Sequence, residues 1–174
     1  MIQLEQYRDK WLAENIMQDD YIGFYEREFS VFSNFSSFKV LFRGVLYSTS
    51  EHAYQATRFI KTAPKIYEEI CNAYSPNDAQ KIAWANQEQQ DPKFNGYKDG
   101  EGGEVIELME EIIRAKMEQN PYVKQKLLQT ENYVIVEDSP VDSFWGIGGD
   151  RKGRNELGKL WMKLRSELQI EEKK

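Results

Sequence analysis

The chain has a single cysteine, Cys71, and a single histidine, His52, among its 174 residues. That scarcity excludes a disulfide framework and any zinc site built from several Cys or His ligands. A mechanism that needs an imidazole base has only His52 to draw on. Long apolar runs are also missing, so no segment reads as a bilayer span. The N-terminal stretch MIQLEQYRDKWLAEN places acidic residues where a secretory signal would be apolar. The expectation is a soluble, cytoplasmic protein with no membrane partner. Positive charge is short too: Lys+Arg 23 against Asp+Glu 29 leaves −6, which provides no long-range attraction to nucleic acid. Any anion binding must be local.

What the chain does have is aromatic residues, 13% against a modest hydrophobic content of 40%, enough large buried surface for a globular fold. The length suits one domain. Leu4, Tyr7, Trp11 and Leu12 recur at helical spacing and predict an amphipathic helix over Gln3 to Glu14. Strands are expected in YIGFY at 21 to 25 and in FKVLFRGVLYS at 38 to 48, the latter a hairpin turning at Arg43-Gly44. Helices are expected from Thr49 to Ile60, from Pro64 to Ala73, and from the Ser75-Pro76 cap to about Asn86. Gln87 to Gly103 reads as an exposed connection before a long helix from Glu104 to Glu118. A short helix starts at Asn120-Pro121. YVIVE at 133 to 137 is a further strand, and Asn155 caps a last helix, Glu156 to Leu168. Strands separated by several consecutive helices indicate an α+β domain, without regular βαβ succession.

Two segments carry candidate chemistry. In SEHAYQATRF, Glu51, Gln55 and Arg58 stand at i, i+4 and i+7, so an acid, an amide and a base share one helix face. Spacing alone favours a plainer role for Glu51, because Ser48-x-x-Glu51 is also a capping-box pattern. His52, alone beside small residues, reads more naturally as a packed core group than as a catalytic base. Cys71 is far in sequence from His52 and there is no G-x-S-x-G elbow, so a nucleophilic triad is not expected.

The second segment, FWGIGGDRKGRN, joins Gly146, Gly148, Gly149 and Gly153 to Arg151, Lys152 and Arg154 ahead of a helix N-terminus. Small residues, positive charge and free N–H groups together suit a phosphate or diphosphate. A solvated basic loop accounts for the composition equally well. Neither a Walker A nor a Rossmann spacing is present. Phe144-Trp145 offers a surface for a planar ring, or core packing, and Asn34 in FSVFSNFSSF offers a polar group for a sugar.

Taken in order, FYEREFSVFSNF, YSTSEHAYQATRF and FWGIGGDRKGRNELGKLWMKLR resemble the three signature blocks of the NADAR family of YbiA-like proteins, named for association with NAD and ADP-ribose metabolism. RAKMEQNPYVKQKLLQT between the second and third blocks also matches. The likeness covers residues 21–168 and leaves an N-terminal helical extension, 1–20, and a charged tail, 169–174. It implies a single compact YbiA-like domain, mostly helical with a small sheet, that cleaves N-glycosidic bonds without a cofactor or metal.

The substrates it implies are phosphorylated ribosylamino-pyrimidine intermediates of riboflavin biosynthesis or, in other branches, ADP-ribose attached to guanine. Nucleic acid would then be a partner only as a modified substrate. A non-catalytic binder of NAD or ADP-ribose is the third alternative. By the resemblance, Glu51 is the catalytic glutamate and Trp145 the base-stacking tryptophan. The remaining substrate-binding candidates are Asn34, Gln55, Arg58, Gly146, Arg151, Lys152, Arg154 and Asn155. The chain departs from some members at Ile147, where they carry an acid after W-G, and at DGEGGE, where they carry a tryptophan. Asp150 is the nearest replacement for the acid, with Asp142 weaker, and Trp84 offers an aromatic from elsewhere.

Overall fold

The structure is a computed structural model that describes residues 21–25, 29–97 and 102–171. The expected helix over Gln3 to Glu14 lies outside them, as do residues 98–101 of the expected connection. The described residues are α+β and mostly helical, with six α-helices and four short strands. The strands form two separate two-stranded sheets where one small sheet was expected. The chain divides into two units, one of residues up to Ser33 together with Pro121 onward, the other of Asn34–Asn120.

The Asn34–Asn120 unit begins with a hairpin of β2 (Val40–Phe42) and β3 (Val45–Tyr47), with Leu41 opposite Leu46. Its two-residue turn has Arg43 at φ 49 and Gly44 at φ 82, both positive as a type I′ turn requires. Phe42 and Val45 close the turn, so Leu41 directs its backbone groups outward. There they meet Gln119, whose Oε1 accepts from Leu41 N at 2.8 Å and whose Nε2 donates to Leu41 O at 2.9 Å.

Four helices follow in this unit: α1 (Ser50–Thr57), α2 (Pro64–Cys71), α3 (Pro76–Ala85) and α4 (Gly103–Gln119). Proline at the first position starts α2 and α3, where its missing N–H would have no partner. Ser75 accepts from Asp78 N to cap α3. Short 3-10 turns at Gln87–Gln89 and Pro92–Tyr97 occupy the expected connection. Helix α1 packs against α2, α3, α4 and the hairpin, and all eight of its residues are buried. A helix enclosed on every side must satisfy each of its polar side chains internally or through a ligand.

In the other unit, β1 (Tyr21–Gly23) pairs in parallel with β4 (Val134–Val136), Ile22 opposite Ile135. All three β4 residues are buried, as in a strand covered on both faces. α5 (Pro121–Gln129) and α6 (Glu156–Glu171) complete this unit. Helix α6 approaches β4 at Gly158, where a Cβ would lie 2.2 Å from Ile135 O. Trp161 on α6 is wholly buried, tilts on Phe32 at 5.0 Å and donates its indole N–H to Phe32 O at 3.0 Å. Arg165 is buried with Nη1 donating to Thr130 Oγ1 and Tyr133 O, each at 2.8 Å. The Arg165 bonds tie α6 to the turn that leads into β4.

Candidate active site

The start of α1 differs by one residue from the capping-box expectation. Thr49, not Ser48, is the N-cap, and its hydroxyl accepts from His52 N. Glu51 therefore occupies the second helical position rather than the third, and the capping box with Ser48 does not form. Its backbone N–H donates to Asn34 O at 3.0 Å, which brings Asn34 beside the helix start.

The Glu51 side chain is 4% exposed. Gln55 Nε2 donates to its Oε1 at 2.6 Å and Gln80 Nε2 lies 3.5 Å from the same oxygen. On the other side of Gln55, Arg58 Nη2 donates to Oε1. A guanidinium has no acceptor, so it fixes the Gln55 amide with oxygen toward Arg58 and nitrogen toward Glu51. The acid, amide and base expected on one face thus form a relay: Arg58 polarises Gln55, and Gln55 presents N–H to the carboxylate. That donation and the N-terminal end of α1 offset the cost of burying a negative charge. Arg58 is itself buried over the Tyr54 ring at 4.8 Å.

Among the described residues, four buried polar atoms of this unit have no partner, Asn34 Oδ1, Ser50 Oγ, Arg58 Nε and Gln90 Oε1, and the first three belong to residues in or beside the relay. Asn34 and Ser50 flank Glu51 through the backbone bond and through sequence, and Arg58 ends the relay. Asn34 Nδ2 is already committed to Met109 Sδ at 3.2 Å, so its oxygen is the group left for a hydroxyl donor. Orphaned buried acceptors and donors of this kind are met in native proteins by water or ligand.

His52 is packed, as its neighbours in sequence suggest. It is 1% exposed, with Nδ1 2.8 Å from Thr49 Oγ1 and Nε2 3.1 Å from Ala73 O. A carbonyl can only accept, so Nε2 carries the proton and Nδ1 accepts from the threonine hydroxyl. Neither nitrogen is left to act as a base. Burial pushes the Cys71 thiol above its ordinary pKa, which disfavours the reactive thiolate.

The glycine-rich segment differs from an open anion cradle. The amides of Gly153, Arg154, Asn155, Glu156 and Leu157 donate to the carbonyls of Ile147, Ser143, Gly146, Phe144 and Trp145. The N–H groups expected to face a phosphate are therefore spent inside the loop. Its glycines answer to the same packing: a Cβ on Gly146 would meet Glu137 O at 2.6 Å, and one on Gly153 would meet Gly146 O at 2.5 Å.

The side chains of this loop are also engaged. Arg151 donates to Tyr21 Oη at 2.5 Å and pairs with Asp138 at 3.3 Å. Arg154 pairs with Glu156 at 2.9 Å and lies over Phe144, while Lys152 is exposed. Trp145 is 7% exposed, edge-on to Phe144 at 4.9 Å. Asp142 Oδ1 accepts from Phe144 N and Trp145 N, and the exposed Asp150 accepts from Lys152 N. Ile147 is buried.

Asn155 stands at the start of α6 with φ 52, but its side chain does not cap the helix. Nδ2 donates to Ile135 O and Oδ1 accepts from Glu137 N, both at 2.9 Å. It fastens the loop to β4.

Two residues of the Asn34–Asn120 unit escape sequence reading. Gln80 lies 29 positions from Glu51 and only the packing of α3 on α1 joins them. Lys116 on α4 is fully buried, with Nζ donating to Ser36 Oγ at 2.7 Å above the Phe38 ring at 5.4 Å. Burial pushes its pKa down to about 7. Its signal was present: Met109, Ile112, Ile113 and Lys116 follow the apolar stripe of α4, where a lysine is out of place.

Residues 21–169 match the NADAR domain family. N-glycosidase YbiA of Escherichia coli (strain K12) is 34% identical over 160 residues, 91% of this chain and 94% of that protein. A riboflavin biosynthesis protein of Vibrio vulnificus (strain YJ016) is also 34% identical over 160 residues, 91% of this chain and 41% of that longer protein. The NMR structure of the E. coli protein YbiA matches with a TM-score of 0.73 at 33% identity, covering 90% of this chain and 89% of the other. With the signature blocks, the α+β architecture and these relatives in agreement, the chain is a member of the NADAR family.

Proposed function

We propose that the chain is an N-glycosidase that hydrolyses the bond between a base and the ribose of a phosphorylated ribosyl or ADP-ribosyl compound, with Glu51 as its catalytic carboxylate. The observation that carries this reading is the Arg58–Gln55–Glu51 relay, which holds a nearly buried carboxylate beside buried polar atoms that lack partners. Breaking an N-glycosidic bond leaves positive charge on the ribose carbon as the base departs with the bonding electrons. A fixed carboxylate stabilises that charge, and water then adds to the same carbon while the base takes up a proton. Asn34 Oδ1 is suited to accept from a ribose hydroxyl. The reading requires no second carboxylate, so the role expected of Asp150 is not needed. The engaged side chains of Trp145, Arg151 and Arg154 supply no argument for it.

A small ribosylated pyrimidine is the favoured substrate class, supported by the net negative charge and by the name of the Vibrio vulnificus relative. The test is base release from a ribosylamino-pyrimidine phosphate and from ADP-ribosylated guanine in DNA, by wild type and by Glu51→Gln. Glutamine preserves an acceptor for Gln55 but removes the charge, so turnover should fall by roughly a hundredfold or more. Near-normal turnover in a folded Glu51→Gln variant would refute the assignment. Faster release from the DNA substrate would replace the small-metabolite class with the nucleic-acid one.

A further inference from the structure

We propose that Trp84 is a stacking platform for the substrate's base, and so a specificity-determining residue of the Glu51 site; this rests on the N-glycosidase reading. Gln80 and Trp84 are one turn apart on α3, and Gln80 Nε2 lies 3.5 Å from Glu51 Oε1. Residues at i and i+4 lie one above the other on a helix, and side chains lean toward the N-terminal end. Trp84 and Gln80 therefore share one strip of the α3 surface.

Burial along α3 places this pair at the rim of the packed face. Ala79 and Ala83 are wholly buried, Gln80 is half-buried and Trp84 is 63% exposed. The two alanines let α3 approach α1 closely, so the next strip of its surface borders the carboxylate. Among the described residues, no aromatic ring or cation stacks on Trp84. A large ring left in water one helical turn from a residue that reaches the buried carboxylate is placed to receive a planar partner.

The chemistry of the reaction supplies such a partner. Its leaving group is a heteroaromatic base attached to the carbon that Glu51 must address, so the base has to lie close to that carboxylate. An indole held on a helix offers a stacking face with little ordering cost, and it accepts any planar base. The polar groups around Glu51 then serve the sugar, and Trp84 serves the base.

The test is calorimetric binding of uridine 5′-monophosphate, guanosine 5′-monophosphate and ribose 5-phosphate to the full chain and to Trp84→Ala and Trp84→Phe. Loss of one stacking face weakens a base-bearing ligand by about tenfold. Trp84→Ala should show that loss for a nucleotide and none for ribose 5-phosphate, and Trp84→Phe should recover most of it. Unchanged nucleotide affinity in Trp84→Ala, an equal loss for ribose 5-phosphate, or failure of wild type to bind either nucleotide would overturn the proposal. Turnover retained by Glu51→Gln alongside the base-selective loss in Trp84→Ala would sink the catalytic assignment and leave the platform standing.

Discussion

Replacing Lys116 with methionine should make the protein more stable, by an amount that depends on pH in a defined direction. Methionine keeps the length and flexibility of the side chain but removes the amine. In the folded protein burial lowers the Lys116 pKa from the ordinary 10.5 to about 7. Between those values the unfolded chain binds a proton that the folded chain does not, so this group makes stability rise with pH across the window. Below about pH 7 both states are protonated and the penalty is at its largest, on the order of 5 kcal/mol before the bond to Ser36 is credited. Integrated from about pH 6 to about pH 9, the wild-type protein should gain roughly 2 to 3 kcal/mol relative to Lys116→Met.

Urea unfolding of both proteins at several pH values measures this directly, and subtraction cancels every other titrating group. The expected result is a stability difference that narrows steadily toward alkaline pH. A difference that stays flat from about pH 6 to about pH 9 would show that the amine is not desolvated as its burial implies, and the reasoning would fail.

Two further substitutions probe the fastening of α6 to β4. Alanine normally stabilises a helix relative to glycine, but Gly158→Ala places a methyl group 2.2 Å from Ile135 O. It should lower stability by roughly 1 to 3 kcal/mol in chemical denaturation, and an unchanged midpoint would refute the close approach. Asn155→Gly tolerates the positive φ but loses the bonds to Ile135 O and Glu137 N. A loss of about 2 to 4 kcal/mol is expected from one buried and one partly buried bond, with hydrogen exchange at Glu137 N accelerated; slow exchange there would refute the role given to the amide.

Local chemistry was legible in the sequence wherever a few adjacent residues dictate it. Arg43-Gly44 marks the hairpin, prolines at 64, 76 and 121 mark three helix starts, and helical spacing alone brings Glu51, Gln55 and Arg58 together. The exact cap was less legible, because Ser48 and Thr49 are both good acceptors and only the backbone decides which one meets His52 N.

The glycine-rich loop is ambiguous in the sequence for a different reason. Glycine serves a ligand's close approach and the chain's own close approach equally, and composition does not separate them. Here the close contacts of Gly146 and Gly153 are with the chain's own carbonyls. Gln80 was hidden because its partner is 29 positions away. Lys116 leaves a mark in the sequence, as a charged residue that interrupts an apolar stripe.

The clasp of Gln119 on Leu41 has a consequence for how the molecule behaves in a crowded solution. A two-stranded sheet ordinarily leaves outward-facing peptide groups that can recruit a stranger's backbone, and the exposed Leu41 and Leu46 side chains would reward such recruitment. A side-chain amide has the same donor and acceptor as a peptide, so Gln119 occupies the margin of β2 as a one-residue imitation of a neighbouring strand. The hairpin can therefore carry an oily outer face while one of its margins is closed to self-assembly.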